Sequence, residues 1–158
     1  MEELLKLLDE ELVFIDQEFS SKEEMIKYFS LELNKKGYVK DTYADAVLRR
    51  ENVFPTGLDT GEIKICIPHT DCEHVKKPGI LVCTLKNGLE SFRMDDPSSS
   101  IKFELAFILA IQNPEEQVKT LSKLMSLFCK SDVLKAIKES KSKKEVINTI
   151  INNIDNKN

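Results

Sequence analysis

The stretch Ile63-Lys64-Ile65-Cys66-Ile67-Pro68-His69-Thr70-Asp71 organises the rest of the chain. Its isoleucines recur at every second position and are β-branched, which predicts a strand with one strongly buried face. Pro68 has no amide hydrogen to give to a sheet, so we expect the strand to end there. His69 would then lie at the carboxyl end of a strand, where open α/β sheets place their ligands. An imidazole held there can serve as a nucleophile, a base or a metal ligand.

The residues before this stretch carry signals for helices and for an earlier strand. Ser21 followed by Glu24 three residues later is a capping box, and the apolar spacing behind it predicts a helix ending at Gly37. A second helix is predicted over residues 41–51, and residues 12–15 form a predicted strand.

The residues after His69 predict further strands and then helices. Residues 80–85 form the next predicted strand, and Asn87-Gly88 is a strong hairpin signal, so residues 89–92 are expected to return antiparallel. The almost continuously apolar stretch 103–111 is typical of a buried central strand. The polar residues 152–158 are expected to be loose. Capping patterns predict three later helices, at Asn113-Pro114, at Ser131-Asp132 and at Ser142 with Glu145.

Length and element order favour one α/β domain over residues 1–158, with a mixed sheet flanked by helices on both faces. The sheet is expected to combine parallel strands with the antiparallel hairpin. A charged fraction of 32% and a net charge of −4 are ordinary for a soluble protein and argue against a nucleic-acid binder. The acidic start and the lack of a membrane-length apolar run favour a cytoplasmic protein whose four cysteines are reduced thiols.

A metal site is the first alternative for the histidine stretch. Cys66, His69, Cys72 and His74 all fall within nine residues, whereas structural zinc usually takes two close ligand pairs separated by a loop. Pro68 also stiffens the middle of the stretch. The spacing therefore disfavours zinc, and we expect no metal.

The residue pattern itself leaves the role of His69 open. A lone histidine is more often a structural hydrogen-bonding residue, but the strand end and Pro68 favour a functional role here. For His74 the structural role is slightly favoured. Arg49 and Arg50 end a predicted helix, where cations complement the negative end of the dipole. Phosphate-binding loops, dinucleotide fingerprints and nucleophile elbows are absent from the sequence.

Three motifs taken together resemble a known family. Arg50-Glu51, Pro55-Thr56-Gly57 and Ile65-Cys66-Ile67-Pro68-His69 are similar to the signature of the fructose/mannitol-type IIA domain (EIIA type-2) of the bacterial sugar phosphotransferase system, or PTS. The resemblance covers most of the chain. The wording of residues 68–71 and 73–75 is similar to galactitol-type members.

The resemblance implies a phosphocarrier. His69 would accept a phosphoryl group from phospho-HPr and pass it to a cysteine of the IIB component, which serves the membrane component IIC. Arg50 would stabilise the phosphoryl group, and the expected nucleophilic atom is Nε2 of His69. No cofactor is implied, because the donor arrives already phosphorylated. The supporting residues implied are Thr56, His74, Gln117 and Glu51.

The sequence departs from the family pattern at three positions. Many members have Ala at Cys66, Gly at Thr70 and a second histidine at Gln117, whose amide can donate a hydrogen bond but carries no positive charge. Phe54, Leu58 and Val75 are predicted as the apolar rim of a docking site for two successive partner proteins. The alternative function is a regulatory module that senses phosphorylation without feeding transport. The sugar and the oligomeric state are not predicted.

Overall fold

A computed structural model describes residues 2–154, and within them every predicted helix is present. The helices are α1 (Glu2–Leu7), α2 (Lys22–Lys35), α3 (Tyr43–Val53), α4 (Pro114–Phe128), α5 (Ser131–Glu139) and α6 (Lys143–Asn153). The strands are β1 (Val13–Gln17), β2 (Gly57–Leu58), β3 (Ile65–Cys66), β4 (Gly79–Phe92) and β5 (Ser100–Ala110). None of the helices in this part of the chain has the length and apolar character needed to span a bilayer.

The described strands form one mixed sheet in the order β1-β4-β5-β3-β2. β1 runs parallel to β4, and β3 runs parallel to β5. The pairs β4–β5 and β2–β3 are antiparallel. The predicted mixed sheet is confirmed, and β5 lies in its centre as the apolar stretch 103–111 indicated.

The period-two pattern around β3 divides the interior into two cores. Ile65 and its neighbours two residues away contribute to a core with Leu124 of α4, Leu134 of α5 and Val146 of α6. Cys66 points to the other face, into a core with Phe29 of α2 and Val47 of α3. Helices therefore cover both faces of the sheet, as predicted, because alternate strand residues face opposite sides.

Side-chain caps fix several helix ends where the sequence places them. The hydroxyl of Ser21 accepts a hydrogen bond from the amide of Glu24 at 3.1 Å, and Gly37 takes a left-handed φ of 84° after α2. Asn113 and Ser142 cap α4 and α6 in the same way. α6 continues to Asn153, so residues 152 and 153 are helical, and residues 155–158 lie outside the described part.

The predicted hairpin at Asn87-Gly88 is wrong. β4 runs through these residues without turning, and its register with β5 shifts between Thr84 and Leu89. Asn and Gly accept the irregular backbone of a bulge as readily as that of a tight turn, so the sequence signal marked a bulge. The chain turns back at residues 93–99 instead, where the amide of Arg93 donates to the carbonyl of Ser99 at 2.9 Å.

Candidate functional site

The segment that follows β3 carries His69 along the edge of the central strand. The amide of Leu109 in β5 donates to the carbonyl of Pro68 at 3.1 Å, so the pairing with β5 continues past the end of β3. On the other side, the amide of Ile67 donates to the carbonyl of Thr56 at 3.2 Å. Both flanks of the segment are thus fixed by backbone bonds, which holds His69 rigidly at the carboxyl end of the strand.

A backbone hydrogen bond fixes the tautomer of His69. Its Nδ1 lies 2.8 Å from the carbonyl oxygen of Ile67. A carbonyl can only accept, so Nδ1 carries the hydrogen and Nε2 holds the free lone pair. Burial lowers the pKa of His69 below its usual value; the bond to Ile67 raises it, and the charge of Arg50 lowers it. The ring is therefore neutral near pH 7 and nucleophilic at Nε2.

His69 is only 5% exposed, but it lines a cavity of about 390 Å³. Arg50, at the end of α3, lines the same cavity. The remaining lining is mainly apolar and comes from Phe54, Pro55, Thr56, Ile67, Met94, Pro97, Leu121 and Met125. The cavity thus joins one nucleophile and one cation within apolar walls, which suits a small anion.

The guanidinium of Arg50 makes few close contacts. Its Nη1 lies 3.9 Å from Oδ1 of Asp71, at the limit of an ion pair, and its Cζ lies 6.0 Å from the ring centroid of Phe54. The buried Nε has no hydrogen-bond partner among the described residues. Because a desolvated donor without a partner is costly, an anion in the cavity would be stabilised by this guanidinium.

Glu51 lies at the centre of a buried polar network rather than in the cavity. Its carboxylate accepts from the Lys22 ammonium at 3.2 Å and from the Thr56 hydroxyl at 2.5 Å. The Lys22 ammonium also donates to the Ser91 hydroxyl at 3.0 Å. The Thr56 hydroxyl is thus engaged with Glu51, which favours its role of holding the turn. The network ties α2, α3 and β4 to the segment beside His69.

His74 and Gln117 do not line the cavity. Nδ1 of His74 lies 2.7 Å from the Thr42 hydroxyl, and its Nε2 lies 3.7 Å from the Glu73 carboxylate. The amide oxygen of Gln117 lies 3.4 Å from the Cys72 sulfur. The structure therefore brings Arg50 and His69 together but turns these two predicted supporting residues towards other partners.

The predicted docking rim is partly wrong. Phe54 lines the cavity and is 63% exposed, so its place is compatible with the predicted rim. Leu58 is partly buried against the core and is not among the cavity residues. Val75 is buried, because its backbone pairs antiparallel with Val39 and its side chain enters the core beneath α2. Val75 therefore cannot belong to a docking rim.

Met94 and Met125 are cavity residues that the sequence analysis missed. Both are exposed apolar side chains. Met94 lies in the turn between β4 and β5, a position hidden by the wrong hairpin prediction. Met125 follows Leu121 by four residues on α4, and this spacing alone could have placed the two side chains on one face.

Cys66, His69, Cys72 and His74 do not converge in space. Within residues 2–154, no three His, Cys, Asp or Glu side chains are grouped so that they could hold a metal ion. The Cys66 side chain points from β3 towards α2 and α3, where its sulfur lies 3.4 Å from the Thr56 hydroxyl. Burial raises the pKa of this thiol. All four cysteines are free thiols.

This chain is similar to known proteins both in sequence and in fold. The pattern of the family described as "Phosphoenolpyruvate-dependent sugar phosphotransferase system, EIIA 2" matches residues 6–153. The galactitol-specific EIIA component of Escherichia coli (strain K12) is 29% identical over 119 residues, which cover 75% of this chain and 79% of that protein.

Two solved structures have the same architecture. The crystal structure of IIA mannitol from Escherichia coli matches with a TM-score of 0.75 and 27% identity, over 90% of this chain and 98% of that one. The complex of enzyme IIA mannitol with phosphorylated enzyme IIB mannitol from the same organism matches with a TM-score of 0.76 and 26% identity, over 92% and 97%. The chain therefore belongs to the EIIA 2 family of the phosphoenolpyruvate-dependent sugar phosphotransferase system.

Proposed function

We propose that this protein is a cytoplasmic IIA phosphocarrier that takes a phosphoryl group from phospho-HPr onto His69 and passes it to a cysteine of a IIB component for sugar uptake. The observation that carries the proposal is the hydrogen bond from Nδ1 of His69 to the carbonyl of Ile67. It leaves Nε2 as the free nucleophile in a cavity that also contains Arg50.

The first transfer begins with attack by the Nε2 lone pair on the phosphorus of phospho-HPr. The Nε2–P bond forms while the bond from phosphorus to the donor atom breaks, and that electron pair stays with the donor. Because Nδ1 keeps its proton, held by the Ile67 carbonyl, the phosphorylated ring carries a positive charge. A cationic ring is a good leaving group, so the phosphoryl group remains easy to pass on.

In the second transfer, from His69 to IIB, the N–P bond formed in the first step is broken. A thiolate of IIB attacks the same phosphorus, an S–P bond forms, and the electron pair of the N–P bond returns to Nε2. Phosphoryl transfer depends mainly on in-line positioning and on neutralising the oxygens of the moving group. The guanidinium of Arg50 supplies that charge on the cavity wall. Neither step requires a metal ion or an organic cofactor.

The apolar side chains around the cavity suit a docking surface for HPr and IIB in turn. Phe54, Met94 and Met125 combine exposure with a place on the cavity wall. Met side chains are flexible and adapt to different partners, which fits a surface that meets two proteins. The relative solved with phosphorylated IIB supports IIB as one partner. IIC would be reached only through IIB.

A phosphorylation assay tests the proposal. The purified protein is incubated with phospho-HPr, and its mass is followed. We expect the addition of one phosphoryl group that is labile in acid and stable in base, and that is lost in His69→Ala. His74→Ala is the matched control, because His74 is the second of two histidines and lies outside the cavity. Label retained in His69→Ala would overturn the site, and transfer from phospho-HPr to His69 without onward transfer to IIB would favour the regulatory alternative.

A further inference from the structure

Asp71 is a carboxylate that the transfer chemistry above does not use. It follows His69 by two residues, and its Oδ1 lies 3.9 Å from Nη1 of Arg50. Its side chain is 75% exposed. The contact involves one oxygen and one nitrogen, so it lacks the bidentate geometry of a strong arginine–carboxylate pair. The pair can therefore open at low cost.

The local backbone offers Asp71 another use that its side chain does not take. Asp71 is the N-cap residue of the short 3-10 turn Cys72–His74, and aspartate at such a position usually accepts a hydrogen bond from a backbone amide two or three residues on. The structure gives this residue no side-chain cap bond. The carboxylate is instead placed within ion-pair distance of the Arg50 guanidinium.

We propose, on the basis of the proposed function, that Asp71 is a displaceable counter-ion. It pairs with Arg50 when His69 is unphosphorylated, and its negative charge repels the phosphoryl group when His69 is phosphorylated. The phosphoryl group must take the guanidinium away from Asp71. Once attached to His69, the phosphoryl group also lies near the negative charge of Asp71. Both effects raise the free energy of the phosphorylated state and favour onward transfer.

Such a residue would adjust how tightly a carrier holds its cargo. Without Asp71, Arg50 would stabilise the phosphorylated state more strongly, since its side chain lines the cavity and its Nε has no hydrogen-bond partner among the described residues. A carrier that held the phosphoryl group too strongly would accept it from the donor but release it slowly to the next protein. Asp71 would offset part of that stabilisation, and it is therefore a residue that sets the transfer equilibrium rather than a catalytic residue.

The test is the equilibrium between phospho-HPr and this protein in Asp71→Asn. Removing the charge should move the equilibrium about two- to fivefold towards the phosphorylated form, the range expected for an exposed ion pair. The matched control is Glu73→Gln, because the Glu73 side chain is also 75% exposed but faces His74. We expect no shift in this control, and an unchanged Tm in both variants.

The outcomes separate this inference from the proposed function. If wild-type protein takes no phosphoryl group from phospho-HPr, both the function and the inference are overturned. If wild type is phosphorylated on His69 but Asp71→Asn leaves the equilibrium unchanged, or shifts it no more than Glu73→Gln does, the inference alone is wrong. A shift towards phospho-HPr in Asp71→Asn also contradicts it.

Discussion

Replacing Glu51 by Gln removes the negative partner of a buried ion pair while keeping the size and shape of the side chain. The Lys22 ammonium and the Glu51 carboxylate are 3.2 Å apart, and their side chains are 6% and 1% exposed. After the substitution, the ammonium stays buried with the Ser91 hydroxyl, 3.0 Å away, as its remaining strong partner. An uncompensated charge is thus left in the interior.

The expected cost follows from that burial. Removing one partner of a buried pair lowers the free energy of unfolding by ~3–5 kcal/mol. We expect the lower end, about 3 kcal/mol, because the Gln amide still accepts from the Thr56 hydroxyl. In a chain of 158 residues this corresponds to a drop in Tm of about 6–12 °C.

The assay is urea unfolding of Glu51→Gln, Lys22→Met and the double variant, with Glu32→Gln as control. Glu32 pairs with Lys35 on the outer face of α2 at 3.9 Å, so the same chemical change there should cost under about 0.5 kcal/mol. The double variant should lose less than the sum of the two single losses, by about 2 kcal/mol. Losses that add to within about 0.5 kcal/mol would refute the coupling, and a loss below about 1 kcal/mol in Glu51→Gln would refute the argument from burial.

Three further predictions concern the cavity and the predicted docking rim. Arg50→Gln should slow phosphoryl transfer to His69 by about 100-fold, because a hydrogen-bond donor aimed at developing negative charge is lost. Rapid-quench labelling measures the rate, and an unchanged rate would contradict the role of Arg50 in stabilising the phosphoryl group. Burial lowers the pKa of His69, so the reactive neutral ring persists to lower pH than in a free imidazole, and the labelling rate should fall with a midpoint below about pH 6.5; a midpoint at or above about pH 6.5 would contradict this. Phe54→Ala should weaken partner-dependent transfer without loss of stability, because Phe54 is exposed on the cavity wall. Val75→Ala should instead lower the free energy of unfolding by about 1–3 kcal/mol with the transfer rate unchanged, because Val75 is buried. The reverse pattern would contradict the placement of Phe54 at the docking surface and of Val75 in the core.

Local patterns in the sequence were sufficient for much of the fold. The alternation of isoleucines around Cys66 correctly predicted a strand with one strongly buried face, and the structure shows that the opposite face, where Cys66 lies, is buried as well. The cap residues Ser21 and Asn113 correctly located two helix starts, because capping depends on residues within one turn. The short motifs also led to the family, since their combination is more specific than any one of them.

Features that depend on distant residues were not predictable in this way. The pairing of Lys22 with Glu51 joins positions 29 apart on different helices, so nothing in the local sequence indicates it. Asn87-Gly88 has the same local signal whether the chain turns or bulges, and the long partner strand β5 determines which occurs. Val75 appears in a polar loop sequence, yet pairing with Val39 buries it.

Identifying the phosphorylated atom tests most directly whether Nε2 of His69 is the nucleophile. Protein labelled with ¹⁵N-histidine is phosphorylated by phospho-HPr, and the ring nitrogens of His69 and His74 are observed by NMR. We expect a phosphorus attached to Nε2 of His69, with Nδ1 still protonated and bonded to the Ile67 carbonyl. Attachment to Nδ1 of His69, or to His74, would contradict it.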